Sequence, residues 1–194
     1  MTTLDHLDAS TLLTHARRLV DDPDAPQEDL RAAISAAYYA VFHDVCRRAA
    51  TQIAGRPAQD AASPAVSVAI AQLVRWFSHR ALLDAGQLVQ GLDRAAADPT
   101  WHTRRVAAWE LLHDEQPHPL PGHLLAVIRS IRMLQDMRQS ASYDRVVLFG
   151  HEQALDAITL AEEALDLLRQ HAQTPAYRAF FVLVTMSARN GARV

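Results

Sequence analysis

The sequence predicts an all-α protein, a single-domain up-and-down bundle of about six or seven helices. Three observations point there. Apolar residues recur at steps of three and four along successive segments. Breaks rich in proline or glycine separate those segments. Strand-like runs such as Arg145 to Phe149, RVVLF, have no partner of their own kind. At 194 residues, 49% of them hydrophobic and only 6% aromatic, the chain can bury a core built mostly of Leu, Val, Ile and Ala.

In order, Asp8 or Ser10 can cap a first helix to Val20, with Leu12, Leu13, Ala16 and Leu19 to bury. Pro23 and Pro26 end it and start a second helix, which runs from Pro26 until Gly55–Pro57 breaks it. Ser63 followed by Pro64 has the order of an N-cap and first helical residue, leading through Val66, Ile70, Leu73, Val74 and Phe77. A turn or two of helix follows around Arg80 to Val89. Trp101 to Leu112 reads as a short helix, and His113 to Gly122, with three prolines, as a loop. Leu124, Val127, Ile128, Ile131 and Leu134 line one face of a helix from His123 to Arg138. After Phe149-Gly150, Ala154, Leu155, Ile158, Ala161, Leu165 and Leu168 repeat at helical spacing. Thr174-Pro175 begins the last helix, which carries Phe180, Phe181, Leu183 and Val184.

The second helix organises the rest. Leu30, Ile34, Ala37, Tyr38, Val41 and Val45 form one stripe, and Ser35, Tyr39, Phe42 and Cys46 a second. Ala33, Ala36 and Ala40 form a third strip that is small rather than polar, so another backbone can approach closely, in this chain or in a second copy. Ile34, Tyr38, Val41, Ile131, Leu134, Ile158 and Leu165 are expected to share one core.

A formal net charge of −3 argues against wrapping along nucleic acid by bulk electrostatics. All 19 basic residues are Arg, which suits bidentate phosphate or carboxylate contacts wherever a site exists. The single Cys46 lies on an apolar stripe and reads as a buried thiol. The acidic start, MTTLDHLD, has no apolar run behind it, and no segment approaches about 18 uninterrupted apolar residues. The expectation is a cytoplasmic protein that does not enter a membrane.

Two short blocks carry a family resemblance. Arg31 to His43, R-x-A-I-S-x-A-Y-Y-A-V-F-H, resembles the second helix of the HEPN family, all-helical domains associated with nucleotides and RNA. Leu134 to Asp144, LQDMRQSASYD, resembles the Arg and Ala-Asp-Tyr-Asp-like landmark of one bacterial branch. RWFSHRALLDAG, containing His79, resembles a His-bearing segment of that branch. The resemblance implies a HEPN-like fold, a homodimer, and roles in toxin–antitoxin or defence systems, with a nucleotidyltransferase or antitoxin-like protein as partner. Nuclease members carry an Arg followed after four to six residues by His, a pair suited to metal-independent RNA cleavage. After Arg138 those positions are Tyr143, Asp144 and Arg145, and Ser142 stands where the branch usually has Asp.

Arg138 extends the buried stripe by one turn, so its guanidinium needs a partner, either solvent, Asp136 or Asp144, or a bound anion. Arg145 and His151 have the nuclease spacing, though roughly three such matches arise by chance in this composition. Arg138, Tyr143, Arg145 and His151 are therefore the candidate RNA or nucleotide site, with Arg145 and His151 the catalytic candidates. Arg31, Tyr38, Tyr39, His43 and His79 form a possible polar network, with the tyrosine hydroxyls bonded to Arg31 or His43. His113, Asp114, Glu115, His118 and His123 do not have the spacing of a helix-borne or zinc-finger metal site, so neither metal nor cofactor is assigned. Three readings follow: a non-cleaving RNA-, nucleotide- or protein-binding module; an active endoribonuclease; and a helical scaffold. The first is preferred.

Overall fold

A computed structural model describes residues 8–54, 64–113 and 118–191. Among these residues every regular element is a helix, and there are eight: α1 (Ala9–Leu19), α2 (Gln27–Ala54), α3 (Pro64–Val74), α4 (His79–Leu92), α5 (Thr103–His113), α6 (Gly122–Tyr143), α7 (His151–His171) and α8 (Pro175–Gly191). The count exceeds six or seven because the expected turn around Arg80 is a full helix. Ser78 starts it, its side chain accepting from Ala81 N at 3.1 Å. The predicted breaks at Gly55–Pro57 and Ser63, the side chain of Val66, and Asp114 and Glu115 lie outside the described residues. No helix among the described residues is long and apolar enough to cross a membrane.

The chain divides into two compact units, residues 1–45 with 127–169, and residues 46–126 with 170–194. The first unit contains the expected core. Ile34, Tyr38, Val41, Ile131, Leu134, Ile158 and Leu165 are all buried there. Ala33, Ala36 and Ala40 are also buried, at 0%, 7% and 0% exposure, so the strip packs inside the protein and offers no open face to a second copy. On α1 only Ala16 is fully buried and Leu12, Leu13 and Leu19 are half-buried, while Leu155, expected inside, is 40% exposed. Its neighbours Ala154, Ala157 and Ile158 take the buried face of α7 instead. That helix starts with half of a capping box, Gly150 N donating to Gln153 Oε1 at 2.8 Å.

In the second unit α4 packs along α8, and α5 packs against both. The end of α4 is the joint of this unit. Arg94 takes a left-handed backbone (φ 58°), which lets the chain leave the helix at a cost of about 1–3 kcal/mol that surrounding contacts must offset. Trp109 Nε1 supplies one, donating to Ala95 O at 2.8 Å. His113 supplies another: Nε2 donates to Leu92 O at 2.7 Å, so Nδ1 is free to accept from His118 N at 3.3 Å. Asp93 Oδ1 accepts from Leu120 N at 2.8 Å. The Pro- and His-rich loop is thereby tied down at its end, and both ring nitrogens of His113 are used in doing it. Cys46 also belongs to this unit and is fully buried.

Candidate functional site

The arginine at the end of the α6 stripe reaches across to α2 instead of to a neighbouring aspartate. Arg138 Nη2 donates to Tyr39 Oη at 2.7 Å, and its guanidinium stacks on the rings of Tyr39 and Tyr143, 5.4 and 5.5 Å from their centroids. Burial works to lower its pKa, but the hydrogen bonds and charges of Tyr39 and Tyr143 outweigh that, and the pKa is raised. The cation is thus held in place by two phenols. His43 stacks on the Tyr39 ring at 5.8 Å, and burial lowers its pKa. Tyr143 is 72% exposed. Beside it opens a hollow of about 520 Å³ lined by Asp136, Gln139, Ser140, Tyr143 and Asp144. Two carboxylates in that lining oppose an anion there.

Arg31, expected beside the tyrosine hydroxyls, turns to the backbone. Its guanidinium donates to three backbone carbonyls at the end of α6 and beyond: Ala141 O at 2.7 Å, Asp144 O at 2.9 Å, and Val147 O. It also lies over the Phe149 ring at 5.3 Å. Gln27 pairs with Phe149 at two points, Nε2 to the carbonyl at 2.6 Å and Oε1 from the amide at 2.9 Å. Asp144 Oδ1 accepts from Val146 N and Val147 N at 3.0 and 3.3 Å, an Asx-type turn. The first turns of α2 therefore pin the connection from α6 to α7 at Asp144, Val147 and Phe149. On that pinned backbone Val146, Leu148 and Tyr143 remain 90%, 74% and 72% exposed, and Val147 is 37% exposed.

Arg145, on the same connection, is exposed and makes no hydrogen bond or ion pair with the described residues. His151 is half-buried and its Nε2 donates to Val20 O at 2.8 Å. That bond fixes the proton on Nε2 and ties the start of α7 to the end of α1. No hydrogen bond joins Arg145 to His151 among the described residues. His79 is half-buried at the first position of α4, in the other unit from Tyr38, Tyr39 and His43. Tyr38 is 1% exposed and its ring stacks on Phe42 at 5.9 Å.

Two groups were not brought together by sequence reasoning, although His123 was weighed there as a metal ligand. His123, at the start of α6, stacks flat on His171, at the end of α7, with centroids 3.9 Å apart and planes at 8°. Buried Tyr177 stacks on His123 at 5.5 Å and donates to its carbonyl at 3.2 Å, and burial pushes the phenol up to about 12. Burial, then the charge of His171, lowers the pKa of His123. A histidine whose folded pKa is depressed contributes stability above its unfolded value of about 6.5, and that contribution is lost as pH falls through the folded value. His43 acts in the same direction. The melting temperature is expected to fall as pH drops below about 6.5, and less steeply in His123→Gln. An equally steep profile in that variant would remove His123 from the account. The second group is Arg47, Arg48 and Arg178, three arginines around one cleft of the second unit. Neither group has a sequence signature, since its members come from stretches far apart in the chain.

Comparison of the chain with family models, with curated proteins and with solved structures finds no match.

Proposed function

We propose that this is a HEPN-like, non-cleaving binding module, and that it engages a protein through the pinned connection between α6 and α7. One observation carries the reading: Tyr143, Val146 and Leu148 stand exposed on a backbone held by Arg31 and Gln27. Exposed apolar side chains on a pre-ordered backbone cost little entropy to bury, which favours binding. The amides of Val146, Val147 and Phe149 and the carbonyls of Asp144, Val147 and Phe149 are already hydrogen-bonded within the chain, which favours recognition through side chains. The first partner to test is a second copy, because a patch facing its own copy about a twofold axis is self-complementary in chemistry. A net charge of −3 opposes such pairing only weakly. Sedimentation velocity is expected to show concentration-dependent association, abolished in Val146→Asp/Leu148→Asp with no drop in melting temperature. A wild-type protein that stays monomeric throughout would overturn self-association through this segment.

A second reading has support from Arg145 and Tyr143. An exposed cation two residues along the chain from an exposed aromatic ring, itself backed by Arg138, suits a stacked nucleobase with its phosphate. On this reading the chain binds RNA or a nucleotide weakly and in a salt-sensitive way. Arg145→Ala would weaken binding, and RNA would remain intact in the presence of chelator. Chelator-resistant RNA cleavage abolished by His151→Ala would replace both readings with that of an endoribonuclease.

A further inference from the structure

The C-terminal turns of α2 and the stretch joining α7 to α8 enclose a cleft of about 540 Å³ in the second unit, a volume in the range of small-molecule sites. Its polar lining is Arg47, Arg48, Thr51, Gln52, Gln173 and Arg178, and no carboxylate lines it. The sequence accounts for that bias: neither Val45–Ala54 nor Gln170–Phe181 contains an acidic residue. Asp44, buried, precedes the two α2 arginines by three and four positions and offsets part of their charge, leaving an excess of positive charge around the cleft.

The frame of the cleft is fixed independently of its guanidinium groups. Thr51 Oγ1 donates to Arg47 O at 2.8 Å, and Gln52 Nε2 donates to Arg178 O at 3.3 Å. The second bond ties α2 to α8 at the residue that carries the third cation. Arg47, Arg48 and Gln173 also engage other groups of the protein. A guanidinium has five N–H donors and can hold a protein group and a ligand together. Helix α8 begins at Pro175, two residues after Gln173, and its N-terminal end adds positive potential. The apolar wall, Phe181, is only 2% exposed and presents almost no ring surface for stacking a base.

From this arrangement we propose that the cleft is a binding site for a compact ligand carrying two or three linked phosphates, recognised through the phosphates themselves. Three guanidinium groups from two helices line one hollow, and their forked donors match the oxygens of a multivalent phosphate. A closed cluster differs from a basic track, so the site favours a small polyphosphate over a nucleic-acid strand. The proposal shares no residue with the α6–α7 connection and stands or falls without it.

The test is titration calorimetry of the whole protein with inorganic tripolyphosphate, pyrophosphate and sulfate at one fixed ionic strength. Saturable binding of one tripolyphosphate per chain is expected, weaker binding of pyrophosphate, and none of sulfate. Arg178→Ala should weaken tripolyphosphate binding by about 10–100-fold, with Arg178→Lys intermediate. Arg178 is exposed, and Gln52 contacts its backbone only, so both variants are expected to fold; circular dichroism checks this. Arg132→Ala, an exposed arginine on α6, should bind like the parent. Absence of saturable binding, equal binding of sulfate, or equal losses in Arg132→Ala and Arg178→Ala would each overturn the proposal. So would tighter binding of a single-stranded oligonucleotide than of tripolyphosphate.

Discussion

Replacing Leu134 with Ala is expected to lower folding stability by about 2–5 kcal/mol, the cost of lost burial plus the cavity left behind. The side chain is fully buried in the first unit, on the α6 face that also buries Val127 and Ile131. Chemical denaturation measures the change directly. Met133→Ala, at a 55% exposed neighbour, should change stability by less than about 0.5 kcal/mol and serves as the comparison. Equal midpoints for Leu134→Ala and the parent would mean that α6 does not bury this face.

Arg31→Ala is expected to cost about 2–4 kcal/mol, because it removes charge-assisted hydrogen bonds to three carbonyls at once. The carbonyls of Asp144 and Val147 sit on exposed residues where water can replace the guanidinium, which keeps the loss below the sum of three bonds. The part-buried contact at Ala141 O has less access to water and should carry most of it. Hydrogen exchange separates this local role from a general loss of stability. The amides of Val146, Val147 and Phe149 should exchange faster in Arg31→Ala, while those in the middle of α7 keep their protection relative to global unfolding. Arg31→Lys should recover only part, since an ammonium cannot fork to several carbonyls. Unchanged exchange at all three amides would show that Gln27 and Asp144 suffice to hold the segment.

The helices were legible because their cores are periodic. Ile34, Tyr38 and Val41 announce α2, and Ile131 and Leu134 announce α6, each at steps of three and four. Helix α4 is weakly marked in the sequence because Gly86 and Gly91 interrupt its apolar pattern, although Ser78 marks its start. Side-chain partners were much less legible. Local sequence suggested Asp136 or Asp144 for Arg138, whereas the acceptor is Tyr39, 99 residues away. Arg31 sat in a recognisable block, but its acceptors are carbonyls, which every residue has and no motif marks. The arginine cleft depends on a pairing over 126 residues, between Gln52 and Arg178, that no periodicity encodes. Of the residues that the HEPN-like pattern marks, Tyr143 borders a hollow where Asp136 and Asp144 oppose an anion.

Cys46 gives the molecule an internal clock. Its thiol is fully buried and burial pushes its pKa far up, so in the closed protein almost no thiolate is available to an alkylating reagent. It is also the chain's single cysteine, so any covalent adduct reports on one position only. Labelling must wait for that part of α2 to open, and at high reagent concentration the rate of adduct formation becomes the rate of opening. The mass of the intact chain, followed over time, therefore measures how often this helix comes loose, without a dye or an engineered probe.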